Sequence, residues 1–174
     1  IINPENKVKL NLKNIDLSQA GAQNLRLIYN TDVLDGSNDD QEVTVDNVKT
    51  GNNKINITTV NNDKVEAVTI NALSGVNKLT GFVSDHLGSS DDSSIKTIKV
   101  KGSADLTITG TSSLQTFDAS GYTGNKLVAN LSANNVVQSI KGSSQDDTFN
   151  ITGASGRIIP IDGGAGKDTV NFKD

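Results

Sequence analysis

Apolar and polar residues alternate with a period of two over short stretches along the whole chain. Val8, Leu10 and Leu12 sit between polar neighbours, as do Leu25 and Leu27, Val43 and Val45, Ile55 and Ile57, and Val68 and Ile70. That period puts every apolar side chain on one face of a strand, so each stretch predicts a half-buried β-strand. The second half repeats more regularly. Strand-like runs centre on Lys99, Thr107, Asp118, Val128, Ile140, Asn150, Pro160 and Asn171, roughly ten residues apart. Gly102, Gly110, Gly121, Gly142, Gly153 and the pair Gly163-Gly164 fall between them. Such spacing leaves no room for a crossover helix. The choice narrows to an antiparallel meander or a solenoid with two strands per turn.

The turns favour the solenoid. Hairpin dipeptides at matched positions would mark a meander, but the turns here resemble one another every second strand. Gly142-Ser143-Ser144-Gln145-Asp146-Asp147-Thr148-Phe149 and Gly163-Gly164-Ala165-Gly166-Lys167-Asp168-Thr169-Val170 match position by position, 21 residues apart. The expected fold is therefore all-β: a right-handed parallel β-solenoid (a β-helix or β-roll) with about 21 residues per turn in the C-terminal half. Residues 95–174 form its regular part. Residues 1–94 are an irregular β region expected to continue into it. Asp16 to Asn24 could form one helical turn capped by Asp16, which Gly21 weakens. Asp35 to Asp40 and Ser89 to Ser94 read as polar loops.

Composition agrees with strands and excludes several chemistries. The 174 residues contain no Trp, Met or Cys, and only 3% are aromatic. Small branched aliphatics under an Asn/Ser/Thr surface suit strands and turns. Without Cys there is no disulfide, thiolate zinc site or cysteine nucleophile. With one His, His86, a Ser-His-Asp triad has one available base and a multi-His metal site has none. The net charge of −4 argues against a large nucleic-acid footprint. No run approaches the length of a membrane span, and no signal-peptide pattern opens the chain. A start at Ile1 and the absence of Met suggest a mature or excised piece of something longer. A cut solenoid would expose strand edges, so further rungs or a cap are expected beyond Asp174.

The strongest chemical signal is Gly163 to Asn171, which matches G-G-x-G-x-D-x-U-x, with Val170 as the large apolar residue. This nonapeptide is the calcium-binding β-helix repeat. Its glycines let the turn adopt positive φ and bring carbonyls toward a common point. Ca²⁺ takes six to eight oxygens, which carbonyls and carboxylates from two stacked turns can supply. Gly142 to Asn150 is a degraded copy that keeps Asp147 and Phe149. The expected calcium site lies between the two turns: carboxylates of Asp147 and Asp168, carbonyls of Ser144, Gly164 and Gly166, with Asp146 and Asp162 as second-line ligands. One turn earlier, either Asn125 or Lys126 falls in the Asp slot, so no carboxylate is offered there. The competing reading is an ordinary tight turn in which the Asp side chain caps backbone N–H groups.

The stretch from Ser94 to Phe172 resembles the type-I-secreted surface-layer proteins of Gram-negative bacteria, within the wider RTX group. The residues that carry it are Val100-Lys101-Gly102-Ser103-Ala104-Asp105-Leu106-Thr107-Ile108-Thr109-Gly110, Phe117-Asp118-Ala119-Ser120-Gly121-Tyr122-Thr123-Gly124, Ile140-Lys141-Gly142-Ser143, and Asp162-Gly163-Gly164-Ala165-Gly166-Lys167-Asp168. The resemblance covers about 45% of the chain. It implies an extracellular lattice protein, exported unfolded through a type I channel, folded outside by calcium and partnered by copies of itself. Members attach through lipopolysaccharide by another region.

Other features have plainer readings. His86, in Ser84-Asp85-His86-Leu87-Gly88, reads as a solvated loop histidine, with a catalytic base as the alternative. Asp35, Asp39, Asp40 and Glu42 could hold a cation but lack the rhythm of an EF-hand loop. Asp91 and Asp92 read as a soluble turn. Asn52-Asn53, Asn61-Asn62 and Asn134-Asn135 suit turns or side-chain ladders. No H-E-x-x-H or G-x-S-x-G motif occurs, so the chain is not expected to be an enzyme. The leading expectation is a structural module of a calcium-stabilised cell-surface layer. The alternatives are an RTX-type adhesin that binds glycans, and the noncatalytic tail of a secreted enzyme.

Overall fold

The computed structural model describes residues 7–30, 33–34, 36–60, 64–84, 94–132, 137–156 and 158–173. Within them lie fifteen strands and no helix, hence no helix long and apolar enough to cross a membrane. A first stack of strands comprises β1 (Leu10–Asp16), β3 (Asp40–Lys49), β5 (Ala67–Ser74), β8 (Thr97–Gly102), β10 (Thr116–Tyr122), β12 (Ser139–Lys141) and β14 (Ile161–Asp162). A second comprises β6 (Val76–Leu79), β9 (Asp105–Thr109), β11 (Leu127–Ser132), β13 (Asp147–Thr152) and β15 (Thr169–Lys173). The end of β3 pairs with β6 at Lys49 and Lys78, which joins the stacks into one sheet of 12 strands. A separate sheet holds β2 (Leu25–Tyr29), β4 (Ile55–Thr59) and β7 (Phe82–Val83).

Every pairing between these strands is parallel. The meander is thereby excluded, and the curled parallel sheet is compatible with a β-solenoid or β-roll. From β8 onward the chain alternates between the first stack and the second, so each strand pairs with the one two places on. Leu106 lies opposite Leu127, Ala129 opposite Phe149 and Phe149 opposite Val170, offsets of 21, 20 and 21 residues. In the N-terminal half the separate three-stranded sheet lengthens the path. Leu25 lies opposite Ile55 and Ile55 opposite Phe82, offsets of 30 and 27.

The apolar half of each alternation points inward and builds continuous columns. Val68, Ile98, Phe117, Ile140 and Ile161 stand in register up the first stack. Leu79, Ile108, Ala129, Phe149 and Val170 do so up the second. The columns meet where the Phe117 and Phe149 rings pack edge to face, centroids 6.2 Å apart. The segment after Asp16 is a turn, not a helix. Leu17 N–H donates to Lys49 O, which holds the chain on the stack, and the Asp16 carboxylate accepts from Ser18 N–H at 2.9 Å. The strand expected around Pro160 is displaced toward the C-terminus, leaving Ile159 and Pro160 outside β14.

Candidate metal centre

The two glycine turns join β12 to β13 and β14 to β15 and lie directly on one another. Gly142 N–H donates to Asp162 O at 2.7 Å, and Ala165 N–H to Ser143 O at 3.1 Å. The approach is too close for side chains on the glycines. A Cβ on Gly142 would fall 2.0 Å from Gly163 O. One on Gly164, whose φ is +89°, would fall 1.8 Å from Ser143 O. Glycine is demanded here by both contact distance and backbone conformation.

Carboxylates line this stack and face backbone donors. Asp147 accepts from Ser143 N–H at 2.6 Å and from Ser143 Oγ at 3.1 Å. Asp168 reaches back to the previous turn and accepts from Asp147 N–H at 3.0 Å. Asp146 accepts from Lys167 N–H at 2.8 Å, and Asp162 from Gly164 N–H at 3.1 Å. Ser144 is exposed and its Oγ accepts from Gln145 Nε2 at 3.3 Å. Gly166, at φ +107°, abuts the Gln145 backbone. All the expected ligand residues lie on or beside these two stacked turns. The capping role of the Asp side chains is also present.

Asp147 is the unusual member. Pairing in register makes Leu106, Leu127 and Asp147 one inward column, so the carboxylate stands where two leucines stand before it. It is 1% exposed. Burial holds its pKa above the ordinary carboxylate value; the Ser143 hydrogen bonds oppose that shift, and the charges of Asp168 and Asp146 add to it. Among the described residues none of the four acids of the corner forms an ion pair.

One turn earlier the corner is filled differently. Leu127, not Asn125 or Lys126, lies opposite Asp147, because β11 and β13 pair at an offset of 20. The Tyr122 ring is buried beside it, its hydroxyl 2.9 Å from Ala104 O and 2.8 Å from Lys126 O. Burial, with the charge of Asp105, pushes that phenol up to about 12. An aliphatic and a phenol close this position to a cation. Tyr122 and Ser143 were not among the expected site residues; Ser143 was hidden because it stands where the motif has glycine.

The donor set suits a hard cation: carboxylates, carbonyls and the Ser143 hydroxyl, all oxygen, with no lysine or arginine ion-paired to it among the described residues. As the turns stand, three of the four carboxylate oxygens of Asp147 and Asp168 accept hydrogen bonds from the protein. Among the described residues no three acidic or imidazole groups gather into a metal-holding cluster. The other acidic candidate has lysine partners. Lys7 pairs with Asp39, Lys99 with Asp40, and Lys9 and Lys101 with Glu42. Asp35, His86, Asp91 and Asp92 lie outside the described residues, as do Asn61-Asn62 and Asn134-Asn135. Asn53 serves its turn by donating to Leu17 O at 2.8 Å. A side-chain ladder forms elsewhere, with Asn171 donating to Asn150 and Asn150 to Asn130. Compared with known proteins, the chain matches no family model, no curated protein and no solved structure.

Proposed function

We propose that the chain is a structural module of a calcium-stabilised bacterial cell-surface layer, assembling with copies of itself outside the cell. Its finer architecture is a right-handed β-solenoid of about 21 residues per turn in the C-terminal half. The hand follows the general rule for parallel crossovers, and the turn length the offsets of 20 and 21 between paired strands. Stacked aliphatic columns give such a coil a rod-like interior, and its ends can accept further rungs.

One observation carries the calcium part of the reading. The Asp168 carboxylate reaches the backbone of Asp147, 21 residues earlier, so two acids without ion-pair partners share one corner of the stack. Asp147 and Asp168 would hold the ion with the carbonyls of Ser144, Gly164 and Gly166, and Asp146 and Asp162 at its margin. Calcium would neutralise the mutual repulsion of these groups. A site that binds only the folded chain adds about 2.7 kcal/mol of stability at a hundredfold excess of ion over Kd. The test is a thermal melt during a calcium titration, run beside electron microscopy of the product. The expected result is a rising Tm and ordered assemblies with calcium, both lost in Asp168→Ala. An unchanged Tm across the titration removes the metal, and persistent monomers remove the lattice.

A further inference from the structure

We infer that the outward face of the second stack, with the adjoining end of β3, binds an extended, carboxylate-bearing polysaccharide. The proposal rests on charge and register on that face and uses no residue of the glycine turns. Lys49 and Lys78 stand directly opposite each other in register, and both are exposed. Like charges in directly opposed positions repel. Asp16 stands opposite Lys49 one strand earlier; its carboxylate accepts from Ser18 N–H and Oγ and also feels the Lys49 charge without forming an ion pair, which leaves Lys78 and Lys173 as the lysines of this face farthest from an acid partner in register. Lys173, also exposed, lies farther along the same face on β15. Among the described residues Lys49, Lys78 and Lys173 form no ion pair.

The first stack is the contrast. There Lys9 and Lys101 pair with Glu42, Lys13 with Asp46 and Lys99 with Asp40. Its outward charges even alternate up the stack, with Lys99, Asp118, Lys141 and Asp162 in successive register. Acids are therefore available to neutralise lysines within this fold. Lys78 and Lys173 of the second stack, and Lys49 at the end of β3 where the stacks join, form no ion pair among the described residues.

Between the lysines the same face offers hydroxyls and amides in fixed order. Thr109, Asn130, Asn150 and Asn171 are in register. Asn150 donates to Asn130 at 2.8 Å and accepts from Asn171 at 2.9 Å, so its amide retains one N–H and one lone pair for a ligand. The array repeats about every 4.8 Å, the spacing of neighbouring strands. Two open grooves run along it, of roughly 420 Å³ beside the Asn ladder and 360 Å³ beside Lys49 and Lys78, and Thr109 lines both.

These features select the ligand class. An acidic peptide would add as a strand at an edge, but the backbone of β6, β9, β11 and β13 is already paired on both sides. The face presents donors and acceptors that match vicinal hydroxyls, and lysines whose charge complements carboxylates.

Affinity electrophoresis of the full chain in calcium-free buffer tests this, with polygalacturonate as probe and neutral dextran and polyglutamate as comparisons. Expected are retardation by polygalacturonate that weakens with salt, little by dextran, and less by polyglutamate. Lys49→Gln with Lys78→Gln should raise the apparent Kd roughly tenfold or more. Asn150→Ala should weaken polygalacturonate binding several-fold, while Lys99→Gln with Lys101→Gln on the opposite stack should leave it unchanged. Thermal melts establish that each variant is folded. No retardation by polygalacturonate, equal retardation by polyglutamate, or insensitivity to the Lys49 and Lys78 substitutions would overturn the proposal.

Discussion

At the scale of single residues the corner turns are decided by what cannot be placed there. Gly164→Ala would put a Cβ 1.8 Å from Ser143 O at φ +89°, whereas at Gly156, φ +71°, an added Cβ meets nothing within 4 Å. Left-handed backbone alone costs an L-residue about 1–2 kcal/mol. Gly156→Ala should lose about that much in urea unfolding and Gly164→Ala clearly more; equal losses would show that the turns do not stack. Asp147 permits a pH test. Its native pKa is raised chiefly by burial, so its contribution to stability is fully present below the ordinary value of 3.8 and is lost as pH rises through the native value. Glu42 runs the other way, held low by Lys101. The difference between wild type and Asp147→Asn isolates the effect: in calcium-free buffer the wild type's relative stability should fall as pH rises through that window. A flat difference would contradict the burial of the carboxylate. The motif alone placed both Asp residues at a shared corner, but nothing in it says that Asp147 follows two leucines inward.

At the scale of elements, the strands with clean alternation were legible and those with inverted alternation were not. Val68 and Ile70 announce β5, and Phe149 and Ile151 announce β13, because apolar residues take the inward positions. In β6 the pattern is reversed. Val76 is 46% exposed, while Asn77 is buried at 0%, in the column of Leu106. Asn77 is satisfied there, accepting from Val48 N–H at 3.0 Å and donating to Ser74 O at 3.1 Å. Read from sequence, an inward Asn and an outward Val make β6 look like a loop. Asn77→Leu restores the apolar column but leaves Val48 N–H unpaired, at a cost of about 1–3 kcal/mol. That should appear as a lower denaturation midpoint with an unchanged m-value; a stabilised variant would mean that the column prefers leucine at this strand too. The slip between β11 and β13 was equally hidden. A strict 21-residue spacing puts Lys126 opposite Asp147, and only the pairing itself selects Leu127.

At the scale of the whole molecule, β15 is the outermost strand of the second stack among the described residues and pairs there with β13 alone. Val170 is 36% and Phe172 60% exposed, although they continue the Phe149 and Ile151 columns in register. An open parallel edge with apolar side chains beside it is a template for another strand. A polypeptide of these 174 residues should therefore associate with itself as concentration rises, with this edge in the contact. Replacing Val170 and Phe172 together with Lys puts charge on the edge, where it opposes strand addition. Both side chains are already partly solvated, so the double variant should keep most of its Tm, surface changes being usually worth within about 0.5 kcal/mol each. Sedimentation velocity separates the outcomes. A monomeric variant beside an associating wild type identifies the edge, whereas association that survives the two lysines assigns the contact to another face. The second result would also change the lattice reading, because a coil that does not join through its open edge must assemble side to side. Its growth would then be set by the charged and hydroxyl-bearing faces instead of the aliphatic columns.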